Sequence, residues 1–307
     1  MAEKLIWLEA ALNGPWSRRL QPKIPISVAE IVADGIACAR AGAAIIHVHA
    51  YDELTGRQRD DPDLYTAIIG GIREEVDAIV YPTIPLSDGP DGVRPRTPRE
   101  RFAAVEALAR SGVIEWAVVD PGSANLTLAD AVAADREGFV YVNSEAEVRH
   151  GLSLAARHRF HPAYACYEPG FIRLGAAMHR RYREAPQPIY RLMFSDQFTF
   201  GFPPEPYALT ALATLLQQEA KGAPWMVGGL GVDILPLIPH AVAAGGHVRV
   251  GLEDAPHGSA KPNLAWVEAA VRAIENAGAT VASPGEVRRA LARSTAPVGE
   301  AVAARRL

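Results

Sequence analysis

The chain has 307 residues, 49% of them apolar, with both signs of charge mixed to a formal net charge of −4. That is core enough for one large domain or two modest ones, and it lacks the basic footprint of a nucleic-acid binder. Cys38 and Cys166 are the only cysteines, so no disulfide framework is expected. No apolar run approaches the roughly 18 residues that cross a bilayer, and Met1-Ala2-Glu3-Lys4 shows no signal-peptide layout. A soluble cytoplasmic protein with neither nucleic-acid nor membrane partners is expected.

Leu5 to Leu12 reads as the first strand. Ser27, with Glu30 three residues on, forms a capping box for a helix running to about Ala41-Gly42. Ala44 to Tyr51 is a second strand carrying His47 and His49. A polar loop from Asp52 to Asp61 leads to a helix over Pro62 to Glu75. Ala78 to Pro82 is the third strand. Asp88 to Arg96, rich in proline, glycine and charge, reads as a loop, and Pro98 to Arg110 as a helix with proline in its first turn.

Trp116 to Val119 is the fourth strand, ending in Asp120-Pro121-Gly122-Ser123. Phe139 to Asn143 is an extra extended piece, and Ser144 with Glu147 caps the helix behind it. Tyr164 to Tyr167 is the fifth strand, followed by a helix from Phe171 to Arg183. Ile189 to Phe194 is the sixth, followed by a helix from Pro204 to Glu219. Trp225 to Val227 is the seventh, with a glycine-rich exit at Gly228-Gly229-Leu230-Gly231. A helix over Leu235 to Ala244 is stopped by Gly245-Gly246. His247 to Asp254 is the eighth strand, and Leu264 to Asn276 the closing helix.

Eight strand–helix alternations predict a single-domain TIM (β/α)8 barrel over residues 1–293, with 294–307 as a C-terminal tail. A doubly wound open sheet is the alternative, because periodicity is local and does not report closure. In a barrel the active site lies at the C-terminal strand ends. Strand side chains alternate, so His47 and His49 share a face, where they read either as core histidines or as ligands of one metal ion. The eighth strand ends in Glu253-Asp254, and two imidazoles with one carboxylate make an open catalytic zinc set. Glu253 is preferred over Asp254 as the third ligand, although alternation allows either and both also read as a helix-start acid pair.

Arg249 lies four residues before Glu253, and an inward-facing arginine needs a carboxylate or an anionic substrate. Thr83 and Ser123 are placed to hold a substrate carboxylate, or are ordinary turn residues. Asp120, Glu168 and Asp196 end strands four to six and are candidate acids or bases, with helix capping as the competing role. The glycine-rich exit after strand seven has the composition of a phosphate cradle, and His257 is a candidate for lining the site.

Three segments carry a resemblance: Ala41-Gly42-Ala43-Ala44-Ile45-Ile46-His47-Val48-His49, then Tyr141-Val142-Asn143-Ser144, then Gly245 through Asp254. Val281 to Arg288 fits as well. By these the chain, from about Lys4 to Arg293, resembles the β-keto acid cleavage enzymes. The resemblance implies a (β/α)8 barrel, usually a homotetramer, with one divalent metal per chain, normally zinc. His47, His49 and Glu253 then match the metal ligands, and Arg249 and Asp254 the arginine and aspartate beside the metal. The implied reaction condenses a β-keto acid with acetyl-CoA to give acetoacetate and a new CoA thioester.

The chain departs from the family pattern away from the metal. Thr83-Ile84-Pro85-Leu86 replaces a Ser-Thr-Gly-Gly loop, and Asp120-Pro121-Gly122-Ser123 replaces an Asn-x-Gly pattern. Ala165 stands where the family's catalytic glutamate falls, leaving Glu168 or Asp120 as its replacement. In Asn13-Gly14-Pro15-Trp16, counted as substrate-facing, Trp16 falls near a substrate-facing acid and favours a less cationic substrate. Gly229-Leu230-Gly231-Val232 lacks the usual arginine. The expectation is therefore a zinc-dependent β-keto acid cleavage enzyme with a diverged pocket. A metal-dependent hydrolase or aldolase, or a non-catalytic zinc- or ligand-binding relic, are the alternatives.

Overall fold

The computed structural model describes residues 4–86 and 97–294. The loop expected over Asp88–Arg96 lies outside the described residues, as does the tail expected over 294–307 except for Ser294, which ends the helix Pro284–Ser294. Eight parallel strands form one sheet: β1 (Leu8–Ala11), β2 (Ile45–Val48), β3 (Ile79–Pro82), β4 (Trp116–Val118), β5 (His161–Cys166), β6 (Ile189–Phe194), β7 (Trp225–Gly229) and β8 (His247–Val250). Their spatial order is β3-β2-β1-β8-β7-β6-β5-β4, which is chain order read round a ring. Between β3 and β4 the ring is completed by side chains, with the Tyr81 and Trp116 ring centroids 5.8 Å apart. A doubly wound sheet would reverse strand order at a switch point. This one does not, so the sheet is a nearly closed barrel.

Strands with helices outside and packed side chains inside are buried on both faces. Every residue of β1, β2 and β3 is accordingly buried. Local chemistry sets the helix starts. Ser27 and Glu30 exchange hydrogen bonds ahead of Val28–Arg40, as Ser144 and Glu147 do ahead of Glu145–His158. Proline fixes the first turn of Pro62–Glu75, Pro169–Arg181 and Pro206–Glu219.

Several segments divide where periodicity predicted one element. The strand expected over Ala44–Tyr51 gives Ile45–Val48 and a separate Tyr51–Asp52. The helix expected over Leu235–Ala244 opens as a 3-10 turn over Leu235–Leu237 before Ile238–Ala244. The run Leu5 to Leu12 splits at Trp7. Leu5–Ile6 pairs with Thr280–Val281, whereas Leu8–Ala11 joins the barrel. Trp7 stacks on His247 at 4.1 Å and donates its N–H to His247 Nδ1, which turns the chain from one ladder to the other. The helix expected over Pro98–Arg110 breaks at Phe102 into Pro98–Arg101 and Ala103–Arg110. The break falls beside Arg101, a buried guanidinium that donates to the Pro85 and Val142 carbonyls and pairs with Glu147 at 3.1 Å.

The extra extended piece, Phe139–Tyr141, forms an antiparallel pair with Ala124–Leu126 above the β4 end of the barrel. Leu128 bridges to Phe198, and Thr199 N–H donates to the Thr127 carbonyl. The hairpin and the loop after β6 are thereby tied into one wall beside the barrel mouth.

Candidate active site

The last turn of β2 is fixed from below by β1. Asn13 accepts the His49 N–H at 2.9 Å and donates to the His49 and Pro25 carbonyls at 2.9 and 3.0 Å. Its side chain is thus spent on backbone and does not line the cavity. It holds His49. Across the mouth, Gly251 adopts φ +138°, where a Cβ would lie 2.1 Å from the Ala11 carbonyl oxygen. That close approach lets Glu253 N–H donate to Ala11 and turns the chain out of β8. Gly14 leaves the space that the Glu253 side chain fills, since a Cβ there would meet Glu253 Cγ at 2.7 Å.

The result is a convergence of three groups. His47 Nε2 lies 3.4 Å from Glu253 Oε2, and His49 Nε2 lies 3.5 Å from Glu253 Oε1. One ligand atom from each of the three residues falls within 4.8 Å of the others. His49 Nδ1 is 2.8 Å from Gln58 Oε1, and the Gln58 amide nitrogen is turned to Asp60 at 2.9 and 3.0 Å. An amide oxygen only accepts, so Nδ1 donates to Gln58 and Nε2 is the ring atom left facing Glu253. Burial holds the His47 imidazole well below its ordinary range, so it is neutral. His47 Nδ1, His49 Nε2 and Glu253 Oε2 are buried without a hydrogen-bond partner. Orphaned polar atoms are costly unless something binds them. The donor set fits a divalent metal.

Charge bookkeeping points the same way. Arg249 donates to Glu9 at 2.9 Å and to Asp254 at 2.7 and 2.8 Å, and lies 2.9 Å from Glu253. Arg191 sits 3.5 Å from Asp120 and 4.0 Å from Glu9, and donates to the Tyr81 hydroxyl, which donates in turn to Glu9 at 2.7 Å. Glu9, Asp120, Glu253 and Asp254 therefore share Arg191 and Arg249, a shortfall that a dication would make up. Burial resists the charge on Glu253, but the Arg249 guanidinium, 2.9 Å away, outweighs it and keeps the carboxyl ionised. For Asp254 burial prevails over Arg249 and lifts the carboxyl to about 6.

A cavity of about 610 Å³ opens over these groups, lined by His47, His49, Arg249 and Glu253. Of the other sequence candidates, Asp120, Thr83, Trp16 and His257 also line it. Trp16 donates its indole N–H to the Glu253 carbonyl, bracing the ligand it covers. Ser123 is exposed and bonded to the Asn143 backbone, pinning the hairpin. Glu168 accepts Gly201 N–H at 2.9 Å, away from the lining, and Asp196 is exposed. The glycine-rich exit is no anion cradle, because the N–H groups of Gly229, Leu230 and Val232 donate to Asp254 Oδ2, the Phe194 carbonyl and the Asp254 carbonyl. Glu9, Tyr81 and Arg191 were not anticipated. A charged residue in the middle of an otherwise apolar strand was the signal that marked Glu9 and Arg191.

Residues 5–292 match the β-keto acid cleavage enzyme family. Among curated relatives, the 3-keto-5-aminohexanoate cleavage enzyme of Fusobacterium nucleatum is 27% identical, covering 95% of this chain and 98% of the relative. The 3,5-dioxohexanoate:acetyl-CoA acetone transferase of Paraburkholderia graminis is 26% identical, covering 89% and 90%. Among solved structures, apo ObcA superposes with a TM-score of 0.71 at 17% identity, over 88% of this chain and 66% of that longer one. At that identity the likeness is one of fold.

Proposed function

Since the chain belongs to the β-keto acid cleavage enzyme family, we propose that it condenses a β-keto acid with acetyl-CoA in a zinc-dependent reaction. The acetyl group passes to the carboxymethyl carbon, giving acetoacetate, and the remaining acyl group leaves as a CoA thioester. The observation that carries this reading is the His47–His49–Glu253 convergence beside Arg249 at the floor of the cavity. Zinc held there supplies Lewis-acid polarisation of the keto oxygen. Arg249 sits where it stabilises negative charge developing on the substrate, and Asp254 fixes both prongs of its guanidinium. Thr83, at the end of β3, offers a hydroxyl for the substrate carboxylate. By family analogy the assembly is a homotetramer.

Ala165 has no proton to move, and Asp120 takes that part in this reading. Asp120 Oδ1 accepts the Ala165 N–H at 2.6 Å, so the carboxyl is held next to the residue at which the family glutamate is missing, which supports this reading. Tyr141 donates to its other oxygen at 2.7 Å, and burial raises its pKa against the pull of Arg191. Glu168 is engaged elsewhere. Asp120→Asn is expected to lower kcat about a hundredfold with little change in KM, as general-acid or general-base loss does. An unchanged kcat would remove Asp120 from the reaction.

The reading as a whole is tested by incubating the zinc-loaded protein with β-keto acids, with and without acetyl-CoA. Acetoacetate and an acyl-CoA formed only when acetyl-CoA is present, and lost on chelation, are the expected products. Keto-acid consumption without acetyl-CoA would place the protein among hydrolases or aldolases instead.

A further inference from the structure

The barrel has one continuous core, yet a second, separate cluster of buried apolar side chains forms above it. Ala165, Met193, Phe200 and Leu230 make its centre, with Leu126 and Phe198 among those packed against it. Four of these six face the cavity. Ala165 and Met193 carry it on β5 and β6, and Trp16 and Tyr167 pack against both it and the main core. The cluster shapes what the mouth accepts.

The charged groups on the cavity divide by depth. Arg191 and Asp120 pair with each other, and Arg249 is spent on Glu9, Glu253 and Asp254. Arg136 and Glu137, also on the cavity, are exposed at the hairpin tip. Between floor and rim, the described residues of the wall include the His257 imidazole, which burial disfavours in its charged form, but no carboxylate, guanidinium or ammonium to serve a charged substituent as counterion. An ammonium or a second carboxylate seated there would lose its hydration without compensation. Rings dominate the wall: Tyr167 meets Phe200 edge-on at 5.0 Å, and Phe198 lies 6.1 Å from Phe200. Edges and faces so arranged favour an aromatic or bulky aliphatic guest.

Resting on the proposed reaction, we infer that the substrate's acyl group beyond the keto carbon is uncharged and apolar, of phenyl or branched-alkyl bulk. The substrate carboxylate and keto group sit at the polar floor, and the apolar group lies along the Ala165–Leu126–Leu230 wall. Alanine at 165 serves both halves of the site. It leaves the wall free of charge, and its N–H holds Asp120 within reach of the floor.

The test uses 3-hydroxy acids, which lack the keto group and are not cleaved. 3-Hydroxy-4-phenylbutanoate, 3-hydroxy-5-aminopentanoate and 3-hydroxyadipate are titrated calorimetrically into the full-length, metal-loaded protein. The phenyl compound is expected to bind at least tenfold more tightly than either charged one. Leu126→Asp, on the half-buried hairpin, is expected to narrow or invert the gap between the phenyl and amino compounds. Ala165→Asp serves as a second variant should Leu126→Asp melt early. Equal binding of the three, tighter binding of a charged compound, or no binding by any would overturn the assignment. Failure of the reaction itself is separable. A phenyl compound bound tightly whose keto analogue is not cleaved with acetyl-CoA would sink the reaction and leave the pocket assignment standing. Preferred cleavage of a charged keto acid would do the reverse.

Discussion

His47→Ala is expected to leave the protein folded, free of bound metal and at least about a thousandfold slower with any β-keto acid it turns over. Three ligands hold a divalent ion with room for substrate, and two do not hold it firmly. A Lewis acid contributes several kcal/mol to a developing oxyanion, and about 4 kcal/mol corresponds to roughly three orders of magnitude in rate. The fold should tolerate the change because the partner left behind is not abandoned. Glu253 keeps Arg249 at 2.9 Å, and His49 keeps Gln58 and the Asn13 clamp. Elemental analysis of purified wild type should give one zinc per chain and the variant close to none, with acetoacetate formation measured on both. A variant that still holds stoichiometric metal, or that keeps its rate without it, would remove the metal from the mechanism. Gln58→Leu provides a graded control. Loss of a partner that orients a ligand typically weakens metal binding ten- to a hundredfold rather than abolishing it.

How much of this was readable beforehand depends on the range of each interaction. Local chemistry was plain: the Ser27–Glu30 and Ser144–Glu147 boxes and the proline at Pro62 mark helix starts at the residues where they occur. The His47/His49 pair and the acids at the end of β8 were legible because each lies on one strand. Closure was not, since the Tyr81–Trp116 contact that joins β3 to β4 has no local trace. The choice between Glu253 and Asp254 was also hidden. Strand alternation stops at Gly251, and the turn beyond it sends both carboxylates back to Arg249. On sequence, Asn13 counts as a substrate contact because it lies in the strand exit Asn13-Gly14-Pro15-Trp16, where the resemblance puts a substrate-facing acid. Only the path of β2 beside it shows that its amide is filled by backbone. Glu9, Tyr81 and Arg191 come from three different strands, and no window along the chain contains more than one of them.

Arg249→Met is expected to be the most destabilising single exchange in the barrel interior. The guanidinium is 2% exposed and is shared among Glu9, Glu253 and Asp254. Methionine fills much of the volume but leaves Glu253 and Asp254 without their guanidinium in a dry interior, while Glu9 keeps Tyr81 and the more distant Arg191. Breaking a buried ion pair from one side costs about 3–5 kcal/mol, which for a chain of this size lowers Tm by roughly 6–15 °C. The loss should depend on pH in a fixed direction. In the wild type Arg249 holds Glu253 below its ordinary carboxyl range, so that stabilisation is present above the unfolded value near 4.5 and fades as pH falls. In the variant the orphaned carboxyls are pushed above their unfolded values. They fold most readily when protonated, and stability drops as pH rises through that window. The Tm gap between wild type and Arg249→Met should therefore widen from pH 5 to pH 8, and widen further after chelation, when no dication offsets the carboxylates. Arg249→Lys should recover only part of the loss, because an ammonium keeps the charge but cannot bridge three carboxylates with a planar fork. A gap under about 2 °C at pH 8 would mean that Arg191 and bound water carry the charge balance, and that Arg249 serves the substrate alone.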